Sequence, residues 1–146
     1  MTLLLAHAAA TCALAGLVWV VQLVVYPAFL LVGPGPGWER YHAAHSAAIT
    51  RVVLVPWAVQ GVTCALLLLR RPDGVPLALA LLAGALGLAT VVLTAAVSVP
   101  LHTRLGDGYD DAVARRLLAT NWYRVLAWTA AAGVALVAVS LGASHT

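Results

Sequence analysis

Polar side chains capable of chemistry recur at helical spacing inside otherwise apolar stretches of the sequence. The four sets are Trp19, Gln22 and Tyr26; Glu39, His42 and His45; Thr90, Thr94, Ser98 and His102; and Asn121, Arg124 and Trp128. Steps of three and four residues place the members of each set on one side of a helix. Because polar groups that face lipid are costly, these polar sides are predicted to face one another.

The residue types in this predicted pocket suit proton transfer and the stabilisation of an oxygen anion. Imidazole exchanges protons near neutral pH, and a guanidinium stabilises an enolate, a phenolate or a lipid headgroup. We therefore predict that the catalytic residues are His45, His102 and Arg124. The predicted ligand-binding residues are Gln22, Tyr26, Arg51 and Asn121. The expected ligand is a lipid-soluble small molecule that enters from the bilayer.

Three of the histidines also form a candidate metal site. His42, His45 and His102 could supply three ring nitrogens to a transition metal, and two of them could ligate a haem between helices. Glu39 and His42 have the E-x-x-H spacing of di-iron bundles, but Glu39 is the only glutamate and a di-iron site needs several. The sequence leaves haem, a transition metal and a cofactor-free pocket open.

The composition places the chain in a membrane. Apolar residues make up 63% of the sequence and charged residues 9%, whereas a soluble domain has roughly 25% charged residues. The basic residues are all arginines and form no basic run interleaved with aromatics, which argues against nucleic acid as a partner. Cys12 and Cys64 lie in apolar segments without a C-x-x-C motif, which argues against a zinc knuckle or a thioredoxin-like site.

Four helices are predicted, over residues 3–32, 38–69, 76–100 and 110–141. Each contains about 20 or more apolar residues, enough to cross a bilayer. The predicted fold is all-α: an integral membrane four-helix bundle with up-down-up-down topology and a single transmembrane domain over residues 1–146. The polar sets gather at one end of this bundle. The other end is predicted to be apolar, with His7 there lacking a polar partner.

The two halves of the chain show traces of an internal duplication. A shift of 73 residues pairs Pro27 with Pro100, Gly33 with Gly106, Gly35 with Gly108, and Arg51 with Arg124. Such a repeat would make the bundle two helical hairpins related by an axis along the membrane normal, an arrangement known in transporters.

Short motifs carry a resemblance to known proteins. The run from Trp19 to Pro27 (WVVQLVVYP), the segment 38–56 and the run from Asn121 to Arg124 (NWYR) resemble motifs of small four-helix bacterial membrane proteins of unknown function. They are more distantly similar to the anthrone-oxygenase-like family. The resemblance implies a four-helix fold and oxygenation of a polycyclic aromatic without an evident cofactor. The matching positions are Pro27, His45, Trp122 and Arg124.

Three functions remain open on the sequence alone. The first is a small redox or oxygenase-like enzyme, or a binder of haem, metal or a quinone-type ligand, working at the polar end. The second is a non-catalytic accessory or oligomerising membrane subunit, with a second copy of the chain as a candidate partner. The third is a small transporter. The expected location is the bacterial cytoplasmic membrane, and the lipid bilayer is the partner common to all three.

Overall fold

The computed structural model describes residues 1–145 and confirms the predicted all-helical fold. Its helices, each long and apolar enough to cross a membrane, are α1 (Thr2–Val32), α2 (Trp38–Leu69), α3 (Leu77–Gly106) and α4 (Asp111–Ala143). The helix ends lie within two residues of the predicted bounds except in α3, which was expected to end at Pro100 and continues to Gly106.

The outer surface of the bundle is apolar. Leu31 and Leu69 are 87% and 80% exposed, and Leu54, Val55 and Leu126 are also well exposed along the middle of the bundle. Soluble proteins rarely expose contiguous apolar surface of this extent. The outward-facing leucines and valines therefore indicate lipid contact, and the chain is an integral membrane protein.

The four helices form a ring in which each packs against its two neighbours in the order α1, α2, α3 and α4. Buried apolar side chains fill the ring as three clusters along its axis. The first lies at the polar end around Phe29 and Leu117, the second near mid-bundle around Val18 and Trp128, and the third at the other end around Leu4. These clusters fix the depth at which polar side chains can face inward.

Two π-helical segments interrupt the α-helical hydrogen bonding, at Val21–Val25 in α1 and at Thr94–Ser98 in α3. Each closes with a bond from the N–H of the following residue to a carbonyl five residues earlier. A proline stands second after each segment. Proline lacks an N–H and its ring clashes with the carbonyl four residues earlier in a regular helix, and a wider turn relieves that clash. The wider turn explains why α3 continues past Pro100.

The π segments fall in the register of the predicted duplication. A shift of 73 residues carries Val21–Val25 onto Thr94–Ser98, and it carries Trp38, the first residue of α2, onto Asp111, the first residue of α4. The structure therefore repeats the same departure from regular helix at the same place in both hairpins. This agreement supports the interpretation of the bundle as two repeated hairpins.

Asp110 caps the N-terminus of α4. Its carboxylate accepts a hydrogen bond of 3.0 Å from the backbone N–H of Val113. We expect Asp110→Ala to lower the free energy of unfolding by about 1 kcal/mol, since one helical N–H then loses its partner. Titration with denaturing detergent, followed by helical circular dichroism, measures the change. Asp107→Ala is the matched control, because Asp107 lies in the same loop without a capping bond to α4. Equal losses of stability in the two variants would contradict the assignment of Asp110 as the cap.

Candidate functional site

A lateral cavity of about 510 Å³ lies in the polar half of the bundle, between α2 and α3. Its inner walls come from α1 and α4, including Val18, Val21 and Trp128. Its outer rim comes from α2 and α3 and includes Thr50, Leu54 and Val99, all of which are exposed on the lipid-facing surface. The cavity is therefore accessible from the side of the bundle that faces the bilayer.

The π segment of α3 helps to form this cavity. Its backbone lies against α4, and two of its side chains, Thr94 and Ser98, face the cavity together with His102. These three residues belong to the polar line predicted from four-residue steps. Thr90, the fourth member, is fully buried and its hydroxyl donates to the carbonyl of Gly87, so it has a packing role.

Arg124 is the cationic group of the cavity. Its Nη1 donates to Oδ1 of Asn121 at 3.1 Å and to the hydroxyl of Ser98 at 3.4 Å, while its Nε is buried and has no hydrogen-bond partner within residues 1–145. Across that same part of the chain the only ion pair joins Arg115 to Asp111. Arg124 thus carries its charge beside the cavity without a carboxylate to balance it.

Asn121 and Gln22 hold Arg124 in place rather than lining the cavity. The amide nitrogen of Asn121 donates to Oε1 of Gln22 at 2.9 Å, and the amide nitrogen of Gln22 donates to the carbonyl of Leu118 at 3.3 Å. Both side chains are almost completely buried. The chain of bonds fixes the Asn121 oxygen toward Arg124 and links α1 to α4. Gln22 and Asn121, two of the four residues predicted to bind the ligand, therefore lie behind Arg124 and do not line the cavity.

Tyr26, His102 and His42 form a second hydrogen-bonded chain. The hydroxyl of Tyr26 lies 3.0 Å from Nε2 of His102, and Nδ1 of His102 lies 3.2 Å from Nε2 of His42. Tyr26 and His102 line the cavity, whereas His42 is buried behind His102. The three rings come from α1, α3 and α2, so this chain crosses the bundle at one depth.

Phe29 lies at the centre of the aromatic residues around this chain. It is 1% exposed, and its ring centroid lies 5.0–6.1 Å from those of its neighbours. Those neighbours are Tyr26, Trp38, Tyr41, His42, His45 and His102. Most of these contacts place a ring edge against a ring face, a favourable geometry for aromatic pairs. Phe29 thus fixes the positions of all three histidines of the polar end.

The two remaining predicted residues, His45 and Arg51, differ in whether they line the cavity. His45 lines the cavity, and its ring is stacked near that of His102 with centroids 6.1 Å apart. Arg51 is exposed on the outside of α2 and is not among the cavity residues. The interpretation of Arg51 as a ligand-binding residue is therefore not supported by its position. An arginine there is suited to extend its charge toward lipid headgroups.

The three histidines do not converge as metal ligands in this structure. Within residues 1–145, no group of three or more histidine, cysteine, aspartate or glutamate side chains is arranged to hold a metal ion. Both ring nitrogens of His102 are already engaged, one by Tyr26 and one by His42. A metal or a haem iron on His102 would have to displace one of these bonds. The chemistry of this donor set therefore fits hydrogen-bonded proton exchange better than metal ligation.

Several residues of the site were missed by the sequence argument. The hydroxyl of Ser46 is buried at the cavity without a partner in residues 1–145, and Trp57 forms part of the wall. Ser46 follows His45 directly and lies four residues before Thr50, so a search for polar residues at helical spacing could have found it. Phe29 carries no such signal, because one phenylalanine in an apolar run resembles any core residue.

The opposite end of the bundle is less apolar than predicted. Nδ1 of His7 lies 2.9 Å from the hydroxyl of Thr63, and both residues are buried. The expectation that His7 lacks a polar partner is therefore wrong. The partner was missed because no polar set was considered at this end, although the buried residues Gln60 and Thr63 lie three residues apart in α2. The pair joins α1 to α2 with a buried hydrogen bond.

No protein-family model, curated protein or solved structure matches the chain. The likeness to anthrone oxygenases stays a prediction, and the geometry of the cavity carries the functional argument.

Proposed function

We propose that this protein binds a lipid-soluble aromatic molecule of the phenol or quinone class, with its rings in the lateral cavity and an oxygen against Arg124. The observation that carries the proposal is the guanidinium itself. It lies beside an apolar cavity, and among residues 1–145 its buried Nε has no hydrogen-bond partner and no carboxylate forms an ion pair with it. An ionisable group buried within a transmembrane bundle is costly and usually marks a functional site.

The walls of the cavity suit aromatic rings. A volume of about 510 Å³ lies within the usual range for small-molecule pockets, and it accommodates two or three fused rings. Trp57 and Trp128 contribute broad apolar surfaces, and aliphatic residues such as Leu14 and Ile49 supply most of the rest. A flat, apolar ligand with one polar edge matches this lining.

The polar atoms around the cavity suit a ligand oxygen. Nε of Arg124 is an unpartnered donor, and the Ser46 hydroxyl on α2 can donate or accept. Buried polar atoms in native proteins nearly always have partners, so each unpartnered atom calls for an explanation. A phenolate or carbonyl oxygen would accept from Arg124, and a second oxygen on the same ring system would engage Ser46.

Access from the bilayer follows from the gap between α2 and α3. The rim residues Thr50, Leu54 and Val99 are exposed on the lipid-facing surface. A hydrophobic ligand dissolved in the membrane would therefore reach Arg124 without passing through water. This route favours ligands that partition into lipid over charged metabolites.

Two neighbouring valines provide a direct test of the proposed binding site. Val53 lines the cavity, while Val52 next to it is exposed to lipid. We expect the indole of Val53→Trp to occupy part of the space that the ligand needs. Because overpacking costs about 1–3 kcal/mol, binding of 2,3-dimethyl-1,4-naphthoquinone should weaken by about tenfold or more. Val52→Trp should leave the affinity unchanged.

Binding is measured in lipid nanodiscs by quenching of tryptophan fluorescence, because Trp57 and Trp128 line the site. The methyl groups of this quinone block addition of a cysteine thiol to the ring. Trp57→Phe with Trp128→Phe should remove most of the quenching while Trp122, on the exposed surface, continues to fluoresce. Equal affinities for the two valine variants would refute the proposed location.

A second candidate function is turnover of such a ligand by an oxygenase-like enzyme. The Tyr26–His102 pair favours it, because a tyrosine hydroxyl bonded to an imidazole at the cavity wall is suited to accept a proton from a bound substrate. The resemblance to anthrone oxygenases implies the same class of polycyclic substrate. Recovery of 1-naphthol, which unlike the quinone probe can still be oxidised, after prolonged incubation in air separates the two functions: binding alone returns it unchanged, as protein-free nanodiscs do.

A further inference from the structure

We propose that Tyr26, His102 and His42 form a proton relay that connects the cavity to the aqueous loop after α3, so that a neutral hydroxyl ligand releases its proton and is held as an anion by Arg124. This inference rests on the proposed binding function and adds a specific chemistry to it. The relay assigns a role to His42, which does not line the cavity.

The geometry of the relay is continuous. Hydrogen-bond distances join the Tyr26 hydroxyl to one ring nitrogen of His102, and the other ring nitrogen of His102 to Nε2 of His42. Imidazole can take a proton on one nitrogen while giving up the proton on the other. His102 therefore transmits a proton across its ring and stays neutral before and after the transfer.

The proton balance closes without any added reagent. Initially Tyr26 donates to Nε2 of His102, and the N–H at Nδ1 of His102 donates to Nε2 of His42. The ligand hydroxyl gives its proton to the Tyr26 oxygen, Tyr26 passes its own proton to Nε2 of His102, and Nδ1 of His102 passes its proton to Nε2 of His42. His42 then loses the proton on Nδ1 to water, and the Tyr26 hydroxyl donates to the new ligand anion.

The far end of the relay lies beside Gly106, the last residue of α3. A Cβ at position 106 would lie 3.8 Å from both Nδ1 and Cε1 of His42, so the glycine covers that edge of the imidazole with backbone alone. Gly106 is exposed, and the charged residues Arg104 and Asp107 flank it. The edge of His42 that must release the proton therefore faces the aqueous end of the bundle.

The charges around the relay favour an anionic ligand. Arg124 from α4 acts electrostatically on both Tyr26 and His102, and His45 from α2 lies beside His102. Phe29 on α1 contacts the rings of all three relay residues, and Trp38 on α2 stacks on His42. A positive charge at the inner end of the cavity stabilises the phenolate product more than the neutral phenol. Arg124 thus supplies the driving force, and the relay supplies the path.

Stopped-flow mixing of 1-naphthol with the protein in nanodiscs tests the relay. Ligand binding is followed by tryptophan quenching, formation of bound naphtholate by its absorption band, and proton release by a pH indicator. For the wild-type chain we expect naphtholate formation with release of one proton per bound ligand. His42→Phe and Gly106→Leu should still show quenching, while naphtholate forms about 100-fold more slowly or worse, since a positioned acid–base group usually contributes about 10²–10⁴-fold.

Gly133→Leu is the matched control, because Gly133 is an exposed helical glycine with no neighbouring atom within 4 Å of an added Cβ. It should behave as wild type in all three signals. Quenching without naphtholate in the wild-type chain, or wild-type rates in both relay variants, would overturn the relay and leave the binding site standing. Absence of quenching by 1-naphthol in the wild-type chain would instead reject the proposed function and the relay with it.

Discussion

Arg124→Gln should weaken binding of 2-hydroxy-1,4-naphthoquinone, an oxygen anion at neutral pH, by roughly 30-fold to several thousand-fold. The expected loss corresponds to about 2–5 kcal/mol, the usual cost of truncating one partner of a buried, hydrogen-bonded charge pair. Glutamine retains an amide that can donate to Asn121, so the buried chain through Gln22 keeps its bonds. The affinity is measured by tryptophan quenching in nanodiscs.

The neutral 2,3-dimethyl-1,4-naphthoquinone should respond less to the same substitution, because it loses a hydrogen bond worth about 1–3 kcal/mol but no attraction between opposite charges. Arg51→Gln is the control for net charge. Arg51 matches Arg124 in the repeat but is exposed on the outside of α2. Equal losses for Arg51→Gln and Arg124→Gln would show that general attraction to the membrane surface, and not the cavity, controls binding.

Phe29→Ala should destabilise the bundle by about 3–5 kcal/mol, the usual cost of removing a fully buried phenylalanine side chain. The ring contacts residues from three helices, so the cavity left behind would loosen their packing together. The change is measured as the shift in the unfolding midpoint in denaturing detergent. Because Phe29 positions the histidines, ligand affinity should fall in parallel.

Leu31→Ala supplies the comparison for this measurement. Leu31 is 87% exposed to lipid, and a surface substitution of this kind normally changes stability by about 0.5 kcal/mol or less. A loss at Phe29 no larger than the loss at Leu31 would mean that the aromatic cluster does not stabilise the polar end.

The sequence predicted the helices and the polar end because lipid imposes simple rules. A run of about 20 apolar residues must form a helix in a bilayer, and polar residues at steps of three or four must share one side of it. These rules correctly placed Tyr26, His45, His102 and Arg124 around one cavity. They do not specify how deeply a side chain is buried or which atoms it bonds.

Arg51 differs from the other predicted site residues in its position on the helix. It lies nine residues after His42, which is about two and a half turns at roughly 3.6 residues per turn. The two side chains therefore lie on opposite sides of α2, and His42 is the buried one. Arg124 is only three residues after Asn121, so it shares the inward side of α4.

The π segments could not be predicted from periodicity, because a turn with one extra residue changes the spacing on which the argument depends. Trp19 was grouped with Gln22 and Tyr26 on the assumption of regular helix. In the structure Trp19 is exposed and its indole donates to Thr129, while Gln22 and Tyr26 are buried. Pro27, two residues after the π segment, was the only local sign of the change.

The repeated hairpins have a consequence for stoichiometry. The 73-residue shift carries the α2–α3 side of the ring onto the α4–α1 side, and two identical hairpins would therefore enclose two equivalent cavities. Ile49 lines the cavity, but Trp122 stands at the matching position and packs edge-on against Trp19, with centroids 5.6 Å apart. The indole pair closes the second side. A chain built from two like halves should accordingly hold one ligand at Arg124 and none at the matching position of the other half.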